Sequence, residues 1–231
     1  MSCLRRSFTL IEMLTVIAII GLLTTILLPS VGQAIDRARQ MKDSNNLRQL
    51  AAAYINYLYN APDKYEINSC QNLYDFASVL AKRGYLTSPE MYCVSSDYLS
   101  SSRKPPRIIG TWRNNTWAIN KDFSQYPLSV VVITNISPSA PASTTPIAYT
   151  RGLDHKTGTW KQSIGKDGGV YSNTGGFIAF LDGHVQFFSN LTDEFNQLTN
   201  FYTGDSTSDI RDAVNTNARA LNYLGIEWES K

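Results

Sequence analysis

The apolar positions of this chain are concentrated in one long run near its start. Glu12 is the only charged residue between Leu10 and Leu28, where all other positions are apolar residues, threonine or glycine. About 20 such residues match the roughly 30 Å hydrocarbon core of a bilayer. The run therefore predicts a membrane-spanning helix. A helix buried in a protein core and a secretory signal are the alternatives, but no later segment offers a comparably apolar partner and Pro29-Ser30 is a poor cleavage site.

A helical pattern continues beyond the apolar run. In residues 33–59 the apolar side chains recur close to one helical face. They are Ile35, Ala38, Met41, Leu47, Leu50, Ala51, Tyr54, Ile55 and Leu58. Because Asn60-Ala61-Pro62 predicts an end, we expect one helix over residues 9–59. Pro29 lacks a backbone N–H and its ring crowds the carbonyl of Thr25, so a kink or a locally melted turn is predicted there.

Two shorter helices are predicted after this long one. Residues 71–86 place a set of apolar side chains on one helical face, and Gly84 is suited to the C-terminal cap. That face consists of Leu73, Phe76, Ala77, Leu80 and Ala81. Residues 208–225 predict the second helix, in which Ser208 or Asp209 caps the start and Gly225 ends it.

Strand patterns lie between these helices. Residues 127–136 are β-branched and bounded by prolines, which predicts a strand, and residues 147–150 are its expected partner. Residues 175–188 contain two β-rich runs around Asp182-Gly183, so we predict a hairpin with a type I′ turn. Segments 91–120 and 137–146 are typical of loops with short extended pieces. The predicted fold class is therefore α+β, a long N-terminal helix with a small antiparallel sheet domain.

The charge of the chain is nearly balanced. It has 21 Lys and Arg against 19 Asp and Glu, a formal net charge of +2, which does not predict a nucleic-acid-binding protein. Residues 101–117 do mix Arg103, Lys104, Arg107 and Arg113 with Trp112 and Trp117, a combination used in single-stranded nucleic acid binding. We prefer to interpret this segment as a solvated loop with buried tryptophans.

Two pairs of carboxylate and imidazole groups are candidates for acid–base chemistry. They are Asp154 with His155 and Asp182 with His184. No nucleophile motif accompanies them, so we expect turn chemistry instead. With two histidines in the chain and no C-x-x-C pair, a zinc site is not expected.

A third candidate is a run of oxygen ligands. Asp205, Thr207 and Asp209 alternate along residues 204–212, but Ile210 and Thr216 stand where an EF-hand requires glycine and glutamate. Helix capping is therefore preferred over calcium binding. We expect no catalytic residue, no metal and no cofactor, and hence a protein that is not an enzyme.

Residues 8–23, FTLIEMLTVIAIIGLL, resemble the N-terminal signature of type IV pilins and type II secretion pseudopilins. That family has a short basic leader, a phenylalanine directly after the cleavage point, a glutamate shortly afterwards and a proline further along. Phe8, Glu12 and Pro29 occupy these places, and residues 1–7 would be the leader. The residue before the cut is usually glycine and is Ser7 here, so we expect slower or merely tolerated processing.

The resemblance implies a function for Glu12. In the family, a prepilin peptidase cuts the peptide bond before the phenylalanine and methylates the new amine. Here the bond to be cut lies between Ser7 and Phe8. The glutamate then pairs with that amine on a neighbouring subunit. Because a lone carboxylate in a membrane helix costs several kcal/mol, a cationic partner would make this cost a driving force for assembly. Snorkelling of Glu12 to the headgroups is the alternative.

The resemblance also implies a location. It places Met1 in the cytoplasm and the C-terminal domain outside it, although the basic residues that follow the span oppose this orientation. These are Arg37, Arg39, Lys42 and Arg48. Disulfides form in such a compartment, and Cys70 and Cys93 remain once Cys3 leaves with the leader. We predict a bridge between them, with two buried free thiols as the alternative.

Residues 151–188 resemble a subgroup of pilin-like proteins in which a histidine precedes an Asp-Gly pair near the end of the domain. Asp182-Gly183 matches this pattern, whereas Ser172 stands at the position of the histidine. Any chemistry of that histidine is therefore not expected here.

Together these features predict a structural, pilin-like subunit of a type II secretion pseudopilus or type IV pilus. Its expected segments are a leader (1–7), a transmembrane helix (8–30), an amphipathic continuation (31–60) and a soluble domain (61–231). The expected partners are a prepilin peptidase, other pilin or pseudopilin subunits and, before assembly, lipid of the bacterial inner membrane; nucleic acid is not expected. The alternatives are a minor pilin with an adhesive or DNA-binding domain and, more remotely, a tethered surface enzyme.

Overall fold

A computed structural model describes residues 9–63, 65–100 and 103–230. The chain divides into two compact units, Met1–Met41 and Lys42–Lys231. Helix α1 (Leu10–Asn60) crosses the division between them, which confirms the prediction of one helix over residues 9–59.

The rest of the described chain contains two shorter helices, three 3₁₀ segments and twelve strands. The helices are α2 (Leu73–Lys82) and α3 (Lys121–Ser124), and the 3₁₀ segments are Glu66–Ser69, Pro89–Tyr92 and Ser172–Thr174. The strands are β1 (Gly110–Arg113), β2 (Thr116–Ile119), β3 (Val130–Thr134), β4 (Pro146–Thr150), β5 (Leu153–Asp154), β6 (Thr159–Trp160), β7 (Gly176–Phe180), β8 (Val185–Phe188), β9 (Leu198–Thr199), β10 (Ser206–Thr207), β11 (Arg219–Asn222) and β12 (Gly225–Glu229).

Six of these strands form one antiparallel sheet in the order β12-β11-β3-β4-β7-β8. The others pair as β1–β2, β5–β6 and β9–β10. A long N-terminal helix followed by a domain of antiparallel sheets confirms the predicted α+β fold class.

The six-stranded sheet carries an apolar layer on each face. Leu50 of α1 and Phe76 of α2 belong to one buried cluster with Val132 of β3. The neighbouring strand residue, Val131, belongs to a second cluster with Ile210 from the loops on the other face. Because both faces are covered, every residue of β3, β4 and β7 is buried, and these strands are mostly apolar and lack an alternation of buried and exposed residues.

Helix α2 is shorter than the predicted range of residues 71–86, since it covers Leu73–Lys82, but it has the predicted buried face. All five apolar residues predicted for that face are buried. Asn72 caps the start, because its Oδ1 accepts a hydrogen bond of 3.0 Å from the N–H of Asp75. Gly84 has a φ of 79°, the left-handed geometry that ends many helices.

The strand predictions are confirmed, but the predicted turn type is wrong. Strands β3 and β4 pair antiparallel, and β7 and β8 form the expected hairpin. Two hydrogen bonds close its turn. The N–H of Gly183 donates to the carbonyl of Phe180 (2.9 Å), and the N–H of Phe180 donates to the carbonyl of His184 (3.0 Å). Gly183 has a positive φ of 88° and Asp182 does not, whereas type I′ needs both. The loop therefore has three residues and ends in a left-handed glycine.

The helix predicted over residues 208–225 is not formed. Residues 219–222 are strand β11, which pairs with β3 on one side and with β12 on the other, and Gly225 begins β12. Apolar residues before it, Ile210, Ala213 and Val214, are buried against the sheet face instead of lying on a helical stripe. Pairing with an existing strand thus overrides a weak helical pattern.

Candidate functional site

The apolar run of α1 exposes its surface on all sides. Among the described residues, α1 is the one helix long and apolar enough to cross a membrane, and its most apolar window is 0% buried. A core helix of a soluble protein would be mostly buried. Polar groups do not interrupt this surface, because Thr24 and Thr25 donate their hydroxyls to the carbonyls of Ile20 (2.7 Å) and Gly21 (2.8 Å). The surface suits lipid or other apolar helices.

Glu12 is held at the start of α1 by Thr9. The carboxylate accepts hydrogen bonds from the Thr9 N–H (2.8 Å) and from the Thr9 hydroxyl (2.6 Å), and the Thr9 oxygen lies 3.4 Å from the N–H of Glu12. This reciprocal arrangement is a capping box. The sequence signal for it, T-x-x-E directly before an apolar run, is present at residues 9–12. Glu12 thus has a local partner within its own chain.

The other predicted positions of the signature are Ser7, Phe8 and Pro29. Ser7 and Phe8, the predicted cleavage and methylation positions, lie outside the described residues. The helical range of α1 includes position 29, and the kink predicted at Pro29 stays a prediction.

A comparison with protein families bears directly on this segment. Residues 4–28 match the family model of the prokaryotic N-terminal methylation motif. The chain carries a prepilin-type signature. The methylation motif spans Ser7, Phe8 and Glu12, and it supports a type IV pilin-like or pseudopilin-like substrate of prepilin peptidase. No curated protein and no solved structure matches the chain significantly.

The methylation motif and the exposed apolar helix together fit membrane anchoring. They also imply processing by prepilin peptidase and pilin assembly in general. The motif covers a small part of the chain, so the chemistry of the second unit has to be judged from its own geometry.

The two Asp/His pairs have the geometry of turns. Asp154 accepts a hydrogen bond from the N–H of Lys156 (2.9 Å), and Asp182 accepts one from the N–H of His184 (3.0 Å). The His184 ring stacks on Phe180 with 4.2 Å between ring centroids. Each carboxylate therefore bonds to the backbone two residues further on, the pattern of an Asx-turn, as predicted.

The oxygen-rich segment 204–212 is organised by an ion pair instead of by helix capping. The carboxylate of Asp209 accepts hydrogen bonds from the guanidinium of Arg211 at 2.6 and 3.0 Å. The hydroxyl of Thr207 donates to Asp212 at 3.1 Å. The predicted cap is therefore wrong, since no helix follows. Within the described ranges, no group of three or more His, Cys, Asp or Glu side chains is arranged to hold a metal ion.

The tryptophan-rich segment is a hairpin and not a loop with buried rings. Trp112 of β1 and Trp117 of β2 are cross-strand partners, with ring centroids 5.7 Å apart and an edge-to-face arrangement. The turn residues Asn114 and Asn115 have φ values of 47° and 59°, as a type I′ turn requires. Trp112 is 52% exposed. The Asn-Asn pair was the sequence signal for this hairpin.

The disulfide predicted between Cys70 and Cys93 is absent. Both residues are buried free thiols. Each Sγ lies near a carbonyl oxygen of the 3₁₀ segment directly before it. The Sγ of Cys70 is 3.7 Å from the carbonyl oxygen of Glu66, and the Sγ of Cys93 is 3.5 Å from that of Pro89. Burial raises the pKa of both thiols to about 12. The two cysteines thus serve as small apolar core residues, the alternative left open by the sequence.

The second unit contains a cleft that was not predicted from the sequence. It has a volume of about 860 Å³ and is lined by side chains from the end of α1 and from segments near residues 65–68, 135–139, 201–202 and 215–217. Tyrosine rings and asparagine amides dominate the lining. Because these segments are distant in the sequence, no local motif marks the cleft.

Proposed function

We propose that this chain is a structural, pilin-like subunit of a type IV pilus or a type II secretion pseudopilus and has no catalytic role. The supporting observation is the methylation motif over residues 4–28, on a helix whose apolar surface is fully exposed. Such a surface has to be covered by lipid before assembly and by the helices of other subunits afterwards.

The first step of the proposed function is maturation. A prepilin peptidase hydrolyses the bond between Ser7 and Phe8 and methylates the new amine of Phe8. The segments proposed are the leader (1–7), the transmembrane segment (8–30), its continuation (31–60) and the extracytoplasmic domain (61–231). The leader stays in the cytoplasm, and the domain lies on the other side of the inner membrane.

The second step is assembly through Glu12. Among the described residues of the isolated chain, Thr9 supplies the hydrogen bonds to this carboxylate. In the filament, the methylated amine of a neighbouring Phe8 supplies a positive charge. Charge-assisted hydrogen bonds are about twice as strong as neutral ones, and they gain strength away from water. The pair therefore favours a defined register between subunits.

The test separates processing from assembly. Mass spectrometry of the membrane-extracted protein is expected to find a mature chain that begins with methylated Phe8. Glu12→Gln keeps an acceptor for Thr9 but removes the charge, so this variant is expected to be inserted and processed yet missing from sheared filaments. Thr15→Val, which removes a different polar group from the same helix, is the matched control and is expected in filaments.

Two results would contradict the proposal. An intact Met1 on the membrane-extracted protein would reject the processing step. Incorporation of Glu12→Gln into filaments at the wild-type level would reject charge pairing as the basis of assembly, even if processing occurs.

A further inference from the structure

The cleft in the second unit has the size of a small-molecule site. Its volume of about 860 Å³ lies within the roughly 300–1,000 Å³ of small-molecule sites. Three tyrosines at its edge are unusually exposed: Tyr59 by 64%, Tyr65 by 79% and Tyr202 by 64%. Tyrosine combines a flat apolar face with a polar tip, so an exposed group of such rings is suited to binding a partly apolar, partly polar molecule.

The polar groups of the cleft are neutral. Among the described residues that line it, no side chain carries a charge, and amides and hydroxyls such as Asn68, Asn217, Ser139 and Thr216 supply the polarity. Amides and hydroxyls both donate and accept hydrogen bonds, unlike a guanidinium, an ammonium or a carboxylate. They therefore match the hydroxyl groups of a ligand, which also donate and accept, and provide no countercharge for a phosphate or a metal ion.

Part of the cleft is fixed before any ligand binds. The hydroxyl oxygen of Tyr202 accepts a hydrogen bond of 3.0 Å from the N–H of Thr216, and its ring lies edge-on to Phe201 with 4.9 Å between centroids. The amide of Asn215 bonds at 2.9 Å to both an N–H and a carbonyl of the backbone segment 135–137. Side chains that are already ordered lose less entropy on binding.

We propose that this cleft binds a neutral saccharide. The tyrosine rings would stack on the apolar C–H faces of sugar rings, and the amides and hydroxyls would bond to the sugar hydroxyls. A protein partner is less well matched, because the larger aliphatic groups in the lining are Leu58, Ile136 and Leu181, of which Leu181 is only 7% exposed. This inference goes beyond the proposed assembly function and does not depend on it.

The test uses the full-length chain in lipid nanodiscs, since glucoside and maltoside detergents are themselves saccharides. Isothermal titration calorimetry with cellohexaose, xylohexaose, mannohexaose and laminarihexaose is expected to show saturable binding of at least one of them. Heparin and a single-stranded DNA oligonucleotide serve as charged probes, and any binding of these probes is expected to be unaffected by replacement of the cleft tyrosines.

Four variants locate the binding site. Tyr65→Ala and Tyr202→Ala are each expected to weaken binding by about tenfold or more, the usual effect of truncating an aromatic anchor. Phe195→Ala is the matched control, because Phe195 is 92% exposed and does not line the cleft, and it is expected to bind like the wild type. Tyr65→Phe retains the ring and is expected to retain most of the binding. Thermal unfolding of each variant checks that it is folded.

The proposal is overturned if none of the four hexasaccharides binds. It is also overturned if the tyrosine variants, while folded, bind as tightly as the wild type, or if a charged probe competes for the cleft tyrosines. Normal incorporation of Tyr65→Ala into filaments would show that the saccharide binding measured for this variant is independent of assembly.

Discussion

Replacement of Arg151 by methionine is expected to destabilise the second unit strongly. The guanidinium donates to Asp97 (2.8 Å), to the carbonyl of Leu128 (2.8 Å) and to that of Gly168 (3.1 Å). The second carboxylate oxygen of Asp97 accepts from the hydroxyl of Ser129 at 2.7 Å. The two charged side chains are only 3% and 1% exposed. Arg151 thus joins the end of β4 to three separate segments.

The expected loss in the free energy of unfolding follows from the groups that Arg151→Met leaves buried without a partner. Methionine fills most of the stem volume, but the Asp97 charge stays buried without a cation and two carbonyls lose a donor. Removing one partner of a buried ion pair typically costs about 3–5 kcal/mol, a large part of the roughly 5–15 kcal/mol of a whole domain. Lys161→Met breaks a pair of similar length (2.9 Å) whose side chains are 45% and 62% exposed, so it is expected to cost at most about 1 kcal/mol.

Urea unfolding of the full chain in nanodiscs, followed by tryptophan fluorescence, measures both changes. All four tryptophans lie in the second unit, so the signal reports on it. The double variant Asp97→Leu with Arg151→Met is expected to be less destabilised than Arg151→Met alone, because no unpaired charge remains. If Arg151→Met unfolds within about 1 kcal/mol of the wild type, the reasoning about this buried pair is refuted.

Three other predictions concern thiols, pH and a turn. Maleimide is expected to leave Cys70 and Cys93 unmodified in the native protein and to label two thiols per mature chain after denaturation without reductant; zero labelled thiols would indicate a bridge. Burial raises the pKa of Glu227, so its contribution to stability is largest below the unfolded pKa and is lost as pH rises through the folded pKa. Glu227→Gln is therefore expected to raise the melting temperature at pH 8 and to lose this advantage in acid; an equal shift at both pH values would contradict it. Gly183→Ala is expected to cost about 1–2 kcal/mol in urea unfolding because φ is 88°, and an unchanged midpoint would contradict this.

Local patterns predicted the elements whose formation depends on local chemistry. Helix α1 and helix α2 have apolar spacing and end signals that a helix needs, and both form as expected. The hairpin of β7 and β8 was also evident from two β-rich runs around a turn. Its turn type was not, because Asp-Gly suits both a two-residue loop and the last two positions of a three-residue loop. Only the register of the strands decides between them.

The elements that were missed depend on distant parts of the chain. Residues 208–225 have a helical spacing, but β11 completes a sheet whose neighbouring strand, β3, lies about 85 residues earlier. The free state of Cys70 and Cys93 likewise depends on the positions of two separate 3₁₀ segments. The neutral cleft is assembled from several distant segments, and none of them carries a recognisable motif.

Two carboxylates of α1, those of Asp43 and Glu12, differ in how firmly their hydrogen-bond donors are held. This difference supports the proposed change of partner at Glu12. Asp43 is 2% exposed and accepts hydrogen bonds from the N–H of Ser95 (3.1 Å) and from the hydroxyl of Tyr171 (2.9 Å), both fixed by the folded domain. Replacing those donors would require the domain to open. Glu12 is exposed, and its donors belong to the adjacent Thr9. In the proposed assembly, a cation from another subunit would therefore reach Glu12 at the cost of a local rearrangement, whereas the donors of Asp43 are held by the folded domain.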